Sequence, residues 1–242
     1  MSRRTNEYGQ SIGSPLPNWQ PPPNPPKETL QGHFCRVEPL DIDTHLKDLY
    51  AAVSLDGEGR SWTYLPYGPF PNIEDYRAWI HTTCLGEDPM FFAIIDEEKA
   101  KAVGVASYLN IVPGIGSIEV GHIYYSPLLQ RIPAATEAMF LLMRQAFELG
   151  YRRYKWKCDY FNATSKGAAQ RLGLSFEGVF RQATTYKGRN RDTAWFAAID
   201  SEWPALRQVF ETWLAPDNFD AKDRQRISLS DLTRPIHAGN AA

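Results

Sequence analysis

The chain has 242 residues, a length that fits one large domain or two small ones. Its 26 basic and 28 acidic residues give a formal net charge of -2, so no overall basic field is present to hold nucleic acid or an anionic membrane. Hydrophobic residues make up 43% of the chain, as in ordinary globular proteins. No apolar run approaches the roughly 18 residues that span a bilayer, and the first ten residues lack the apolar core of a signal peptide. We therefore expect a cytoplasmic protein that binds neither nucleic acid nor membrane.

The three cysteines, Cys35, Cys84 and Cys158, are widely spaced and odd in number. This pattern argues against both a disulfide framework and a CxxC metal site. We expect three reduced thiols and no bound metal.

The two ends of the chain differ from its middle. Residues 1–30 are predicted to form an extended N-terminal arm, because seven of the 18 prolines lie between Ser14 and Lys27. Such an arm is either a polyproline II ligand for another protein or, as we favour, a segment lying over its own domain or a partner subunit. Residues 216–242 are polar without a periodic apolar face, so a mobile tail is predicted.

Residues 31–215 alternate between strand and helix patterns. A strand at 32–40 is followed by a helix at 41–53, where Asp41 is the predicted cap. The next elements are a helix at 73–84, strands at 89–95 and 101–111 joined by an acidic turn, and a strand at 118–125. We expect the strands on either side of the acidic turn to form an antiparallel hairpin.

The second half of this region begins with the best-marked helix, at 133–149, which starts at a proline and stops at Gly150. A strand at 151–158 buries one face, and a short helix at 163–173 follows it. Strands at 174–186 and 192–199 flank the turn KGRN, and a last helix follows Ser201. This order predicts one domain, a mixed sheet with helices on its faces.

Three blocks of sequence carry a family resemblance: IEVGHIYYSPLLQRIPAATEAM, DYFNATSKGAAQRLGLSFEG and FRQATTYKGRNRDTAWFAAI. They resemble the GNAT superfamily of N-acyltransferases, and within it the RimJ/RimL-like group. The resemblance implies the α+β GNAT fold, a mixed, mostly antiparallel sheet with flanking helices and a cleft where the family's fourth and fifth strands splay. It also implies transfer of an acetyl group from acetyl-CoA to a primary amine, on a small molecule or a protein N-terminus, by direct attack in a ternary complex.

The resemblance assigns the coenzyme to the turn before the main helix. Backbone N–H groups of that turn and the helix dipole hold a pyrophosphate in this family. Pro133 stands where the family usually has its first glycine, and it removes one donor. The predicted coenzyme-binding residues are Tyr125, Gln130, Arg131, Ile132, Ala134, Ala135, Thr136, Asn162 and Ser165.

Two residues on the preceding strand are candidate bases, because the attacking amine must lose a proton. Glu119 stands where the family often places its base and is preferred, although a salt-bridged strand carboxylate is an equal alternative. His122 is more simply explained as a packed histidine. Regular strand alternation puts the two on opposite faces unless a bulge intervenes.

The same strand and the following helix are expected to serve the thioester. A backbone amide of Tyr124, Tyr125 or Ser126 is the predicted oxyanion donor. Asn162 matches a position that contacts the pantetheine arm or helps the thiolate leave, and a helix cap is its alternative role. Ala169 occupies the site where many relatives carry a tyrosine acid, which excludes that acid here.

The acceptor pocket is expected in the segment 62–70, where Tyr64, Tyr67 and Phe70 line it or form a small satellite core. The turn residues Lys187, Arg189 and Arg191 attract an acidic acceptor or a coenzyme phosphate, or simply form a solvated tip.

A second function from another class is a non-catalytic acyl-CoA-binding or interaction module, favoured by Pro133 and Ala169. A homodimer is also an open possibility.

Overall fold

The computed structural model describes residues 4–220 and 224–238, and an eight-stranded sheet runs through it. The strands lie in the order β3-β4-β5-β6-β7-β8-β10-β9, and every neighbouring pair is antiparallel except β7 and β8. Their bounds are β3 Leu30–Gln31, β4 Cys35–Pro39, β5 Met90–Asp96, β6 Lys101–Val112, β7 Ser117–Tyr125, β8 Arg153–Asp159, β9 Ser175–Tyr186 and β10 Arg189–Ile199. A separate two-stranded ribbon, β1 Arg4–Thr5 with β2 Ser11–Ile12, precedes the sheet.

Six α-helices accompany the strands in the described residues. They are α1 Ile42–Val53, α2 Ile73–Trp79, α3 Pro133–Glu148, α4 Ala163–Arg171, α5 Trp203–Leu214 and α6 Leu229–Ala238, and a π-helical turn, Ile80–Cys84, extends α2. The predicted helices and strands of residues 31–215 are confirmed to within a few residues. None of these helices is long and apolar enough to cross a membrane.

The sheet buries both of its faces. On one face a large cluster joins strand residues such as Phe92 and Ile118 to Leu142 of α3 and Phe210 of α5. On the other face a smaller, aromatic-rich cluster packs α1 and α2 against the strands. The sheet is therefore a middle layer, as expected for alternating strands and helices.

Local sequence signals set the ends of two of these helices, α1 and α3. The Asp41 carboxylate accepts the Thr44 N–H at 2.7 Å and caps α1. Helix α3 begins at Pro133, directly after an extended Ile132, and the chain leaves it through Gly150 with φ of 98°. A glycine is favoured there because other residues adopt this left-handed conformation only at a cost.

The N-terminal arm lies against its own domain. The Tyr151 hydroxyl donates to the Pro23 carbonyl at 3.1 Å, and the Gln145 amide donates to the Glu28 carboxylate at 3.1 Å. The Arg152 guanidinium lies over the Trp19 ring, 5.9 Å from its centroid. These contacts place the arm across the end of α3 and the start of β8.

The prediction of a mobile C-terminal tail is wrong for the described residues. Helix α6 packs against α4 and α5, with Leu229 and Thr233 buried and Leu232 and Ile236 packed on the main core. These residues have the i, i+3, i+4, i+7 spacing of an apolar helix face. Residues 221–223 and 239–242 of the predicted tail lie outside the described residues.

The final hairpin is tighter than predicted. Its turn consists of Lys187 and Gly188, with φ of 48° and 69°, so β10 starts at Arg189 rather than Asp192. Two consecutive positive φ angles match the two-residue turn whose twist suits antiparallel strands.

Candidate active site

A cleft opens between β7 and β8. The two strands pair in parallel only from Ser117–Val120 to Arg153–Trp156, although β7 continues to Tyr125 and β8 to Asp159. Beyond Val120 the second half of β7 pairs with β6 alone. The expected splay is therefore present.

A bulge in β7 brings the two candidate bases onto one face. The register with β6 shifts between Ser107↔Gly121 and Val105↔Tyr124, and His122 has φ of 50°. The Ile118 and Val120 side chains point into the α3 side, so Glu119 points to the opposite side. The His122 ring contacts Phe91, a residue of the α1/α2 cluster on that opposite side. The bulge thus cancels the alternation expected of a regular strand.

Glu119 is almost completely buried and has two partners. Its Oε2 accepts from the Asn110 side-chain amide at 3.0 Å and lies 3.0 Å from the Lys157 ammonium. Within residues 4–220 and 224–238, no donor is bonded to Oε1. Oε2 is therefore held in place by its two partners, and Oε1 is left able to accept a proton.

His122 is a neutral imidazole at pH 7. Burial lowers its pKa to about 4. Its Nδ1 and the Tyr67 hydroxyl form a hydrogen bond of 2.8 Å, and the two rings stack. Tyr67, predicted as an acceptor-pocket residue, thus fixes the orientation of this imidazole.

The turn after β7 leaves backbone donors near the start of α3. Arg131 adopts a left-handed conformation with φ of 65°. Across the described part of the chain, no acceptor is bonded to the amides of Arg131 and Ile132. The Ala135 amide donates to the Ile132 carbonyl, and Ala134 belongs to the first helical turn, whose amides have no partner inside the helix.

Gln130 and Tyr125 hold this turn in place. The Gln130 amide N–H donates to the Ser126 carbonyl, and its side chain donates to the Tyr125 carbonyl at 3.0 Å. The Tyr125 hydroxyl donates to the Ala135 carbonyl at 2.8 Å. The Ser126 amide donates to the Val103 carbonyl, so Ser126 is no longer a candidate oxyanion donor.

Arg171 is a further candidate site residue, which the sequence pattern did not indicate. It lies in the last turn of α4, and its Nη2 donates to Thr136 Oγ1 at 2.9 Å, in the first turn of α3. Burial lowers its pKa from the usual value, yet a guanidinium stays charged at neutral pH. The only sequence signal was a basic residue two positions before Gly173, which is ordinary at a helix end.

Asn162 and Ser165 open helix α4 on the other side of the cleft. The Asn162 Oδ1 accepts the Ser165 N–H at 3.0 Å, which makes it the helix cap. The Ser165 hydroxyl accepts from Trp156 Nε1 at 2.9 Å. Ala169, two turns further on, is fully buried.

Three loops meet over the α1/α2 face. The Lys187 ammonium donates to the Trp62 carbonyl at 2.8 Å, and Arg189 donates to the Thr63 carbonyl at 2.7 Å. The Tyr64 hydroxyl donates to the Phe161 carbonyl at 3.2 Å. Lys187 and Arg189 of the hairpin tip are thus bound to Trp62 and Thr63, contrary to the alternative of a solvated tip.

Aromatic rings fill the space beneath this contact. The Trp62 and Trp79 rings contact each other, and each also contacts Tyr67 and Phe70, with centroid separations between 4.6 and 6.4 Å. The predicted acceptor segment is therefore packed as a second core and also borders His122 through Tyr67.

A cavity of about 430 Å³ lies where the segment 55–61 faces Pro127 and Gln130 of the turn. The described residues contain no group of three potential metal ligands, and all three cysteines are free and buried. Burial raises the pKa of the Cys158 thiol, which keeps it protonated and a poor nucleophile.

A family model for an acetyltransferase (GNAT) domain matches residues 36–175. The chain belongs to the GNAT family. A GCN5-related N-acetyltransferase from Brucella melitensis is 44% identical, with a TM-score of 0.88 over 90% of this chain and 100% of that chain. A probable GNAT-family acetyltransferase from Chromobacterium violaceum is 39% identical, with a TM-score of 0.75 over 80% and 98% of the two chains. The uncharacterized N-acetyltransferase YnaD of Bacillus subtilis is 22% identical over 71% of this chain and 99% of its own.

More distant GNAT structures share the fold. MccE, the microcin C7 self immunity acetyltransferase solved with acetyl-CoA and AMP, has a TM-score of 0.61 at 20% identity over 69% and 93% of the two chains. RimL, the ribosomal L7/L12 α-N-protein acetyltransferase, has a TM-score of 0.58 at 20% identity over 71% and 94%. The predicted GNAT fold and enzyme class are confirmed.

Proposed function

We propose that this GNAT enzyme transfers the acetyl group of acetyl-CoA to a primary amine by direct attack within a ternary complex. The observation that carries the proposal is the cleft between β7 and β8, with unengaged turn amides at one end and the unpaired Glu119 Oε1 on the adjoining strand. These are the donor and acceptor that acyl transfer to an amine requires.

The residues of the turn fit the phosphates of the coenzyme despite Pro133. The amides of Arg131 and Ile132 replace the donor that proline lacks, and the N-terminus of α3 adds its positive dipole end. Arg171 brings a charge to Thr136 in the same helical turn. The solved MccE complex, which holds acetyl-CoA on the same fold, supports acetyl-CoA as the cosubstrate.

Glu119 takes the proton of the attacking amine in this proposal, through Oε1. The nitrogen then attacks the thioester carbonyl, and the resulting oxyanion is stabilised by the backbone N–H of Tyr125. Tyr124 lies opposite Val105 and, like Ser126, points its N–H at β6, whereas Tyr125 points its N–H away from β6. His122, neutral and held by Tyr67, lines the acceptor side. The thiolate departs with the Asn162 side-chain Nδ2 as the donor near it.

The deciding experiment measures thiol release from acetyl-CoA with four classes of amine: amino acids, polyamines, aminoglycosides and peptides with free N-termini. CoA binding is measured in parallel by calorimetry. We expect binding together with amine-dependent thiol release in one class. Binding without release for every amine would instead support the non-catalytic module, and absence of binding would overturn both functions.

A further inference from the structure

The two partners of Glu119 converge on one oxygen. The Asn110 amide and the Lys157 ammonium both lie 3.0 Å from Oε2. Oε1 lies beside Gly121, 3.9 Å from the point where a Cβ would stand on that glycine. The unpaired oxygen therefore faces along β7 toward the part of the strand that leaves β8.

The position of Asn110 depends on a bulge in β6. Asn110 has φ of 47°, and the β6–β7 register shifts between Leu109 and Val112. The Asp88 carboxylate accepts the N–H groups of Asn110 and Ile111 at 2.9 and 3.0 Å. Asparagine is among the few non-glycine residues that adopt this conformation readily.

Lys157 reaches Glu119 from across the cleft. It follows Trp156, the last residue of β8 that pairs with β7, so the ion pair spans the strands at the point where they separate. The ammonium also lies 4.6 Å from the centroid of the Trp195 ring. A buried carboxylate needs a cation and hydrogen-bond donors to offset its lost hydration, and these two side chains supply both.

We infer that Asn110 and Lys157 are positioning residues that hold Oε2 of Glu119, so that Oε1 alone faces the acceptor amine. The inference rests on the proposed function, in which Glu119 is the base. It explains why a residue in the β6 bulge and a lysine at the point where β7 and β8 separate both bond to the same oxygen.

The test uses three substitutions in the full-length protein, assayed with the best amine of the panel at saturating acetyl-CoA. Lys157→Met should lower kcat about tenfold or more while leaving CoA affinity unchanged, and Lys157→Arg should restore most of it because it keeps the cation. Asn110→Gly should also lower kcat; glycine keeps the left-handed backbone and removes only the amide. The matched control is Lys99→Met, which removes a lysine that likewise pairs with a buried carboxylate, Asp96, at the turn between β5 and β6, with kcat expected near wild type.

A double substitution separates the possible failures. In a Glu119→Gln background, Lys157→Met should cause no further loss of kcat, because the two residues act as one unit. An equal loss in both backgrounds, or unchanged kcat in the single variants, would overturn the positioning role. Full activity of Glu119→Gln itself, or no turnover with any amine, would instead overturn the proposed function and this inference with it.

Discussion

The two halves of β7 differ in how their backbone is held. The first half, Ser117–Val120, pairs with strands on both sides and carries a buried, doubly bonded carboxylate, Glu119. The second half, from Gly121 onward, pairs on one side, contains the bulge at His122 and carries a neutral imidazole. Where β7 pairs with strands on both sides, its backbone is fixed and so is the Glu119 carboxylate that it carries. Where β7 pairs on one side only, its free edge opens the cleft, and backbone groups there are available to a ligand.

The largest effect is expected from a substitution in the first half of β7, at Glu119. Glu119→Gln should lower kcat at neutral pH by about 10²–10⁴-fold, and higher pH should partly restore the rate by deprotonating the amine. Glu177→Gln is the control, since that carboxylate lies on β9 and pairs with Arg153. If His122→Gln were inactive and Glu119→Gln active, His122 rather than Glu119 would be the general base.

Burial of His122 in the second half of β7 should make the stability of the protein depend on pH. The pKa of His122 falls from 6.5 in the unfolded chain to about 4 in the folded protein, so between these values the unfolded state binds more protons. Stability from this residue is complete above pH 6.5 and is lost as the pH falls toward 4, by at most about 3 kcal/mol, reduced by partial exposure of the ring.

Urea unfolding of wild type and His122→Gln at pH 5 and pH 7.5 measures this effect. We expect the wild type to lose more stability than the variant on going to pH 5, because other titrating groups are common to both proteins. Equal losses would show that the imidazole titrates normally and that the second half does not bury it.

Helix α4 forms the opposite wall of the cleft, and a larger side chain on it tests how much space the cleft between β7 and β8 contains. Ala169→Tyr should cost roughly 1–3 kcal/mol in urea unfolding, because Ala169 is fully buried and a larger side chain overpacks the core. Gly167→Ala, on the same helix with open space around it, should instead stabilise by about 0.4–1 kcal/mol. A stable Ala169→Tyr variant with raised kcat would reveal space for a tyrosine acid.

The smallest effect concerns the start of the same helix. Asn162→Ala should cost about 1 kcal/mol, because the cap on Ser165 is lost. Asn162→Asp keeps the capping oxygen and removes only the Nδ2 donor, so its stability should stay near wild type while the apparent KM for acetyl-CoA rises severalfold. Unchanged kinetics in Asn162→Asp would restrict Asn162 to its capping role.

The elements of the fold were readable from sequence because their signals are local. Asp41 marks a helix start, Gly150 marks a helix end, and the acidic turn at 96–100 separates the strands of a hairpin. Helix α6 was missed although Leu229, Leu232 and Ile236 have helical spacing, because the helix is short, polar overall and contains Pro235.

The site was less predictable because its geometry depends on contacts between distant parts of the chain. Nothing in the residues around His122 signals a positive φ, so the shared face of Glu119 and His122 appears only once β6 and β7 are paired. The Lys157 partner of Glu119 likewise depends on the parallel register of β7 and β8.

The N-terminal arm bears on the kinetics of unfolding. Its contacts join residues 128 and 117 positions apart, Pro23 with Tyr151 and Glu28 with Gln145. We expect contacts between such remote residues to form late in folding, because closing so long a loop costs entropy that the contacts must offset. Contacts absent from the folding transition state slow unfolding and leave the folding rate alone. The arm is therefore expected to slow unfolding at the end of α3. A chain beginning at residue 29 should unfold faster in stopped-flow measurements and fold at the same rate as the full-length protein.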